Sequence, residues 1–171
     1  KKRLEFTVTR AAIVLETVKA KTVSAGGKKF LLVSVSGFHP DTAKKFRSAV
    51  ADGIFNGMEG LIIDLRDNPG GSVDAVVNVV CNWAPEGPVV VMEPRRGKSE
   101  KIGCKNSSGL LKDVKTAVLV NDGSASASEI MAGALQDYGK ARVFGEKTYG
   151  KGCGQSVIDY PDGSMLKLTT F

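Results

Sequence analysis

Histidine is nearly missing from this chain. His39 is the single one among 171 residues, so a serine, histidine, aspartate triad would have to be built on that one position, and no GxSxG elbow accompanies it. Cysteine is scarce as well. Cys81, Cys104 and Cys153 stand far apart, and with one histidine no combination gives the paired spacing of a zinc site. An odd count leaves at least one free thiol. A bridge between Cys81 and Cys104, which flank a strand, stays open, and the redox compartment with it. No apolar run approaches the roughly 18 residues of a membrane helix. The opening KKRLEFTVTR lacks the apolar core and cleavage site of a signal peptide; its Leu4, Phe6 and Val8 alternate with polar neighbours as a strand would. A chain that opens inside a strand reads as excised from something longer, with any leader or anchor upstream. Aromatic residues make up 6% of the chain, and none falls among the seven basic residues between Arg95 and Lys115. With no rings to stack bases, and with Glu100 and Asp113 interspersed, the net charge of +6 reads as a solvated strand-and-loop surface, not a nucleic-acid site.

What is present is the composition of one soluble domain, 42% hydrophobic and 25% charged, long enough to bury a real core. Strand-like runs alternate with helical ones: residues 30–36, a helix to about Gly53, residues 60–65, a helix from Val73, strands near Val89 and Ala117, then another helix. That alternation predicts an α/β fold. His39 is placed at the N-cap of the first helix, with Pro40 at its first position, Asp41 near the positive end of the dipole, and Ala43, Phe46, Ala49 and Val50 on its buried face. Gly26 and Gly27 mark a turn between strands. Beyond Arg142 the pattern becomes all strand, with residues 156–160 and 165–170 joined by a turn at Pro161, Asp162 and Gly163.

Three short blocks carry possible chemistry. NDGSASASE, residues 121–129, follows an apolar strand and runs into a helix. Ser126 and Glu129 have capping-box spacing, which alone would explain the serine. The start of a helix is also where an oxyanion is best stabilised, because unpaired N–H groups and the dipole point there. The small residues Ser124, Ala125, Ala127 and Ser128 would let a substrate backbone approach. Three serines two apart cannot be told from one another by spacing.

A serine nucleophile needs a base, and lysine is the remaining candidate. At an unperturbed pKa of ~10.4, about one lysine in a thousand is neutral near pH 7.4, a handicap of roughly 4 kcal/mol. Burial removes it, so a catalytic lysine is expected in a close-packed, water-poor setting. In TYGKGCGQ, residues 148–155, Lys151 lies between Gly150 and Gly152, with Glu146 the sole acid in the eight residues before it. The overlapping GEKTYGKG, residues 145–152, misses the phosphate-loop pattern at its last position, where Gly152 has no hydroxyl, and strand sequence follows instead of a helix; nucleotide binding is not expected. DLRDNPGG, residues 64–71, follows a buried strand and turns at two glycines. A tight strand-to-helix turn would suffice to explain it, but the same turn could give an oxyanion hole its second N–H donor. Asp64 and Arg66 are expected to pair.

Taken in order, these three blocks resemble the carboxyl-terminal processing, or tail-specific, proteases, a serine-lysine peptidase family. The resemblance covers residues 18–171 most closely. It implies a crotonase-like α/β core at 14–171, with residues 1–13 similar to the last strand of a preceding PDZ domain. It implies Ser126 as nucleophile, Lys151 as general base, Gln155 as the residue holding the lysine, and oxyanion donors from Ala127 and from Gly70 or Gly71. It further implies no metal or organic cofactor, polypeptide substrates cut near or from their C-termini, an extracytoplasmic location, a membrane anchor only if one lies upstream, and possible assembly into homo-oligomers. A catalytically silent relative, serving as a peptide-binding or assembly module, is the competing expectation.

Overall fold

The computed structural model describes residues 3–9, 16–94 and 96–170. Its elements run β1 (Val18–Ala25), β2 (Lys28–Val35), α1 (Thr42–Phe55), β3 (Gly60–Asp64), α2 (Val73–Val80), a 3-10 turn (Cys81–Trp83), β4 (Pro88–Met92), β5 (Glu100–Gly103), β6 (Thr116–Val120), α3 (Ala127–Asp137), β7 (Ala141–Gly145), β8 (Gln155–Asp159) and β9 (Met165–Thr169). The central sheet has the order β1-β2-β3-β6-β7. β1 and β2 form an antiparallel hairpin through Gly26 and Gly27, and the remaining pairs are parallel. This is the mixed α/β fold that the alternation of elements predicts.

The period-2 pattern of the strands decides which face is covered. Leu31, Val33, Val35, Leu61, Ile63, Val118 and Val120 are buried on one face, whereas Leu32, Ile62 and Leu119 on the other are only half-buried. Over the buried face α2 packs between α1 and α3. Helix α2, VDAVVNVV, is apolar nearly all round and correspondingly buried. Ser72 caps it by accepting the Ala75 N–H at 3.3 Å. Trp83, fully buried, donates its indole N–H to Thr116 Oγ1 at 3.1 Å and ties the 3-10 turn to the start of β6.

Two expectations for local structure are corrected. Helix α1 begins two residues later than the proline suggested: Pro40 and Asp41 form a turn, the N-cap is Asp41, and the His39 N–H donates to Thr42 Oγ1 at 2.9 Å. Asp41 spends its carboxylate on Lys45, 2.6 Å away, instead of on the helix end. The strand expected around Leu4, Phe6 and Val8 is not formed by residues 3–9; these three side chains are exposed. Residues 10–15 lie outside the described residues.

β4 and β5 form a separate antiparallel pair, and a disulfide from Cys81 to Cys104 anchors the end of β5 to the 3-10 turn. The bond spans 23 residues. Closing a loop of that size in the unfolded chain corresponds to about 3 kcal/mol. Reduction is therefore expected to lower unfolding stability by that amount, read as a shift of the denaturant midpoint with and without dithiothreitol. An unchanged midpoint, with two additional thiols titrated, would remove this role from the bridge. Cys153 is a free, exposed thiol.

Candidate active site

In a parallel sheet the loops at the C-terminal ends of adjacent strands gather at one edge. Here the loops after β3, β6 and β7 are the three sequence blocks, and β6 lies between the other two strands. Asn68 binds the first two blocks together. Fully buried, it donates from Nδ2 to Val35 O at 2.8 Å and accepts the Gly70 N–H at 2.9 Å on Oδ1. Its carbonyl oxygen accepts the Ala125 N–H at 3.0 Å and the Ser128 hydroxyl at 2.9 Å. A second tie joins Asn121 Nδ2 to Asp67 Oδ1 at 2.9 Å. Asp64 and Arg66 pair as expected, through two bonds of 2.9 and 2.8 Å.

These contacts separate the three serines. Ser124 and Ser128 are fully buried and donate to Leu65 O and Asn68 O at 2.7 and 2.9 Å. Both are structural ties between blocks. Ser126 is half-buried and has φ 54° and ψ −113°, a sparsely populated conformation for any residue but glycine. That torsion pair falls at the last residue before α3 begins, after the turn that follows β6. Its N–H donates to Glu129 Oε2 at 2.7 Å.

Gly70 lies directly against this turn. A Cβ on Gly70 would come within 2.7 Å of Ala125 O and 2.9 Å of both Ala127 N and Ser126 Cβ, so only a bare backbone fits. Of the two glycines offered as oxyanion donors, Gly70 is already committed, its N–H held by Asn68 Oδ1. Among the described residues the N–H groups of Gly71 and Ala127 have no acceptor. A strand-like bridge holds the glycine turn in place: Phe38 N–H donates to Gly70 O at 2.9 Å, and Ser72 N–H donates to Phe38 O at 2.8 Å.

The third block reaches the same place. Ser126, Lys151, Gly152, Cys153 and Gly154 line one cleft of about 360 Å³, whose apolar wall is made by Val73, Val90, Met92 and Ile130. That size and mixture suit a ligand site. A roomier depression beside β5 brings no serine to its lysines, and the one along α1 has Ser48 and Lys44 on the surface of a single helix, away from the three sequence blocks. Glu129 braces the loop after β7: its carboxylate accepts from Thr148 Oγ1 at 2.8 Å, Gly150 N–H at 2.6 Å and Lys151 N–H at 2.9 Å. Burial opposes the charge on Glu129. The hydrogen bonds from Thr148, Gly150, Ser126 and Lys151 outweigh it and hold the carboxyl below the ordinary glutamate range.

The family model for Peptidase family S41 matches residues 29–171. The chain belongs to peptidase family S41. It is 38% identical over 156 residues to a probable CtpA-like serine protease of Staphylococcus aureus and 36% identical to that of Staphylococcus epidermidis. Each alignment takes in 90% of this chain and 32% of the relative, so the chain spans about a third of the length of the curated relatives it matches. Among solved structures it resembles the photosystem II D1 C-terminal processing protease, with a TM-score of 0.79 and 32% identity over 95% of this chain and 44% of that one. A putative S41 protease from Bacteroides fragilis shares the fold, with a TM-score of 0.74 at 20% identity. The resemblance to the tail-specific serine peptidases therefore holds.

Within this S41 chain, the site residues named from the sequence meet only in part. Ser126 and Lys151 share the cleft, and Gly70, Gly71 and Ala127 lie on the two abutting turns. Gln155 opens β8 and is exposed; among the described residues no hydrogen bond joins it to Lys151. The lysine itself is exposed, not close-packed. Nothing stands within 4 Å of where a Cβ on Gly150 or Gly152 would lie, and the lysine between them is open to solvent. Sequence reasoning missed the buried Asn68 and the apolar wall from β4. It saw Glu129 only as a cap, although its partners at 148–151 are named by no local pattern.

Proposed function

We propose that this chain carries the catalytic core of an extracytoplasmic serine endopeptidase that cuts polypeptides near or from their C-termini. One observation carries the reading above the rest: Ser126, in a strained strand-to-helix turn, opens onto the same cleft as Lys151. In this reading Lys151 Nζ takes the hydroxyl proton as Ser126 Oγ attacks the scissile carbonyl. The N–H groups of Ala127 and Gly71 receive the developing oxyanion, a contribution of about 3 kcal/mol per donor. The ammonium then protonates the leaving amine, and a water activated by the same lysine hydrolyses the acyl-enzyme. A substrate lying between Lys151 and the apolar wall excludes water from the amine, which supplies the setting the open cleft lacks. Gln155 is the lysine-orienting residue once the cleft is filled.

The likeness to a C-terminal processing protease supports the choice of C-termini, and the Cys81–Cys104 disulfide supports an oxidising compartment. The crotonase-like description of the core and the assignment of residues 1–13 to a PDZ strand belong to the same proposal. Exposure of Lys151 and the gap between it and Gln155 favour one rival, a peptide-binding module without catalysis.

A serine-reactive fluorophosphonate separates the two. The expected result is a single adduct on Ser126, mapped by mass spectrometry and lost in Lys151→Ala. An adduct on Ser124 or Ser128 moves the nucleophile to that serine, whereas no adduct and no cleavage of an unfolded protein overturns the peptidase reading and leaves the binding module.

A further inference from the structure

We propose that Glu129 is a positioning residue that couples the nucleophile turn to the lysine loop, and so sets the approach of Lys151 to Ser126; this rests on the serine-lysine reading above. A capping box asks only that the glutamate accept the N–H of the cap residue, and Glu129 does so at Ser126. Three further donors converge on the same carboxylate from 19 to 22 residues away: Thr148 Oγ1 and Gly150 N–H on Oε1, Lys151 N–H on Oε2 beside the Ser126 N–H. Four donors fill the acceptor sites of one carboxylate. Among the described residues Glu129 forms no ion pair, so its charge is balanced by these donors and by the amino end of α3.

The loop has little else to hold it. Residues 146–154 contain no helix or strand, Tyr149 is 71% exposed, and Gly150, Lys151 and Gly152 are exposed. Among the described residues the other ties are three backbone bonds: Glu146 N–H to Val120 O at 3.2 Å and Tyr149 N–H to Ser124 O at 3.0 Å, both before Gly150, and Thr170 N–H to Gly154 O at 3.1 Å at the far end. At Lys151 itself the bond to Glu129 is what fixes the backbone, leaving the amine free to reach the cleft. A single side chain thus bonds the backbone N–H of the nucleophile and of the base.

The chemistry of the donors demands a carboxylate. Glutamine at this position has the same shape but one acceptor oxygen, and its NH₂ would face N–H groups. Aspartate there would keep both oxygens and draw them back by one methylene. The test compares Glu129→Gln, Glu129→Asp and Thr148→Val with wild type in kcat, KM, melting temperature and fluorophosphonate labelling of Ser126. Misplacing the base by about 1 Å costs about 10²-fold. Glu129→Gln is expected to lose that much in kcat and in the labelling rate, with KM changed less than about threefold, because the apolar wall is untouched. Glu129→Asp should recover part of the loss and Thr148→Val should lose several-fold at an unaltered melting temperature. Wild-type kcat in Glu129→Gln overturns the proposal. If both Glu129 variants fail to fold, wild-type kcat in Thr148→Val overturns it. Failure of the serine-lysine reading looks different: wild-type protein then shows no Ser126 adduct at all.

Discussion

Replacing Ser126 with alanine is expected to lower kcat on an unstructured protein by about 10⁴-fold or more. Lys151→Ala should do the same, and the double variant should be no worse than either single one, because the two side chains act in one step. The neighbouring serines provide the contrast. Ser124→Ala and Ser128→Ala each remove a buried hydrogen bond to the carbonyl of Leu65 or Asn68, a loss of about 1 to 3 kcal/mol in stability, so they should melt earlier and keep the labelled nucleophile. Ser126→Ala should melt close to wild type. Since φ 54° with ψ −113° is held by a residue with a side chain, Ser126→Gly should be more stable than Ser126→Ala by about 1 kcal/mol while equally inactive. Ser124→Ala or Ser128→Ala inactive at full stability, with Ser126→Ala active, would transfer the nucleophile to one of the neighbours.

That contrast marks where local sequence stops being informative. The strand, turn, helix order around Ser126 was legible because Ala117–Val120 and the run after Ala127 have different periods. The choice among Ser124, Ser126 and Ser128 was not, because what distinguishes them are carbonyls 59 and 60 residues away and a backbone torsion. The same holds for Glu129: three of its four donors come from a loop that a helix-start pattern cannot name. Lys151 shows the opposite error. Two flanking glycines permit close packing, yet in the fold they leave the lysine exposed. His39 failed for a local reason, since Thr42 Oγ1 accepts the His39 N–H and the chain turns through Pro40 and Asp41 before the helix begins. The pairing of two of three cysteines depended on β5 returning to the end of α2, a contact of the fold and not of the spacing.

Gly70→Ala tests the abutment of the two turns, and its effect should be large on both stability and turnover. Its φ of 103° is strained for any residue with a Cβ, and the added methyl would stand 2.7 Å from Ala125 O and 2.9 Å from Ala127 N and Ser126 Cβ. None of these is the end of a flexible side chain. Neither turn can give way cheaply: Asn68 bonds both of them, and Phe38 N–H holds Gly70 O from behind. Unfolding stability should fall by about 3 kcal/mol. Because the displaced atoms include the Cβ of Ser126, the proposed nucleophile, and the Ala127 amide, kcat should fall by about 10²-fold or more even in the fraction that remains folded. Gly57→Ala is the control, with φ 76° and open space where its methyl would go; it should lose about 1 kcal/mol from the torsion alone and cleave at the wild-type rate. The difference between the two variants isolates the steric contact from the torsion. A Gly70→Ala protein that loses stability like Gly57→Ala and turns over like wild type would show that the glycine turn yields freely, and the oxyanion hole would then have to be sought away from the first block.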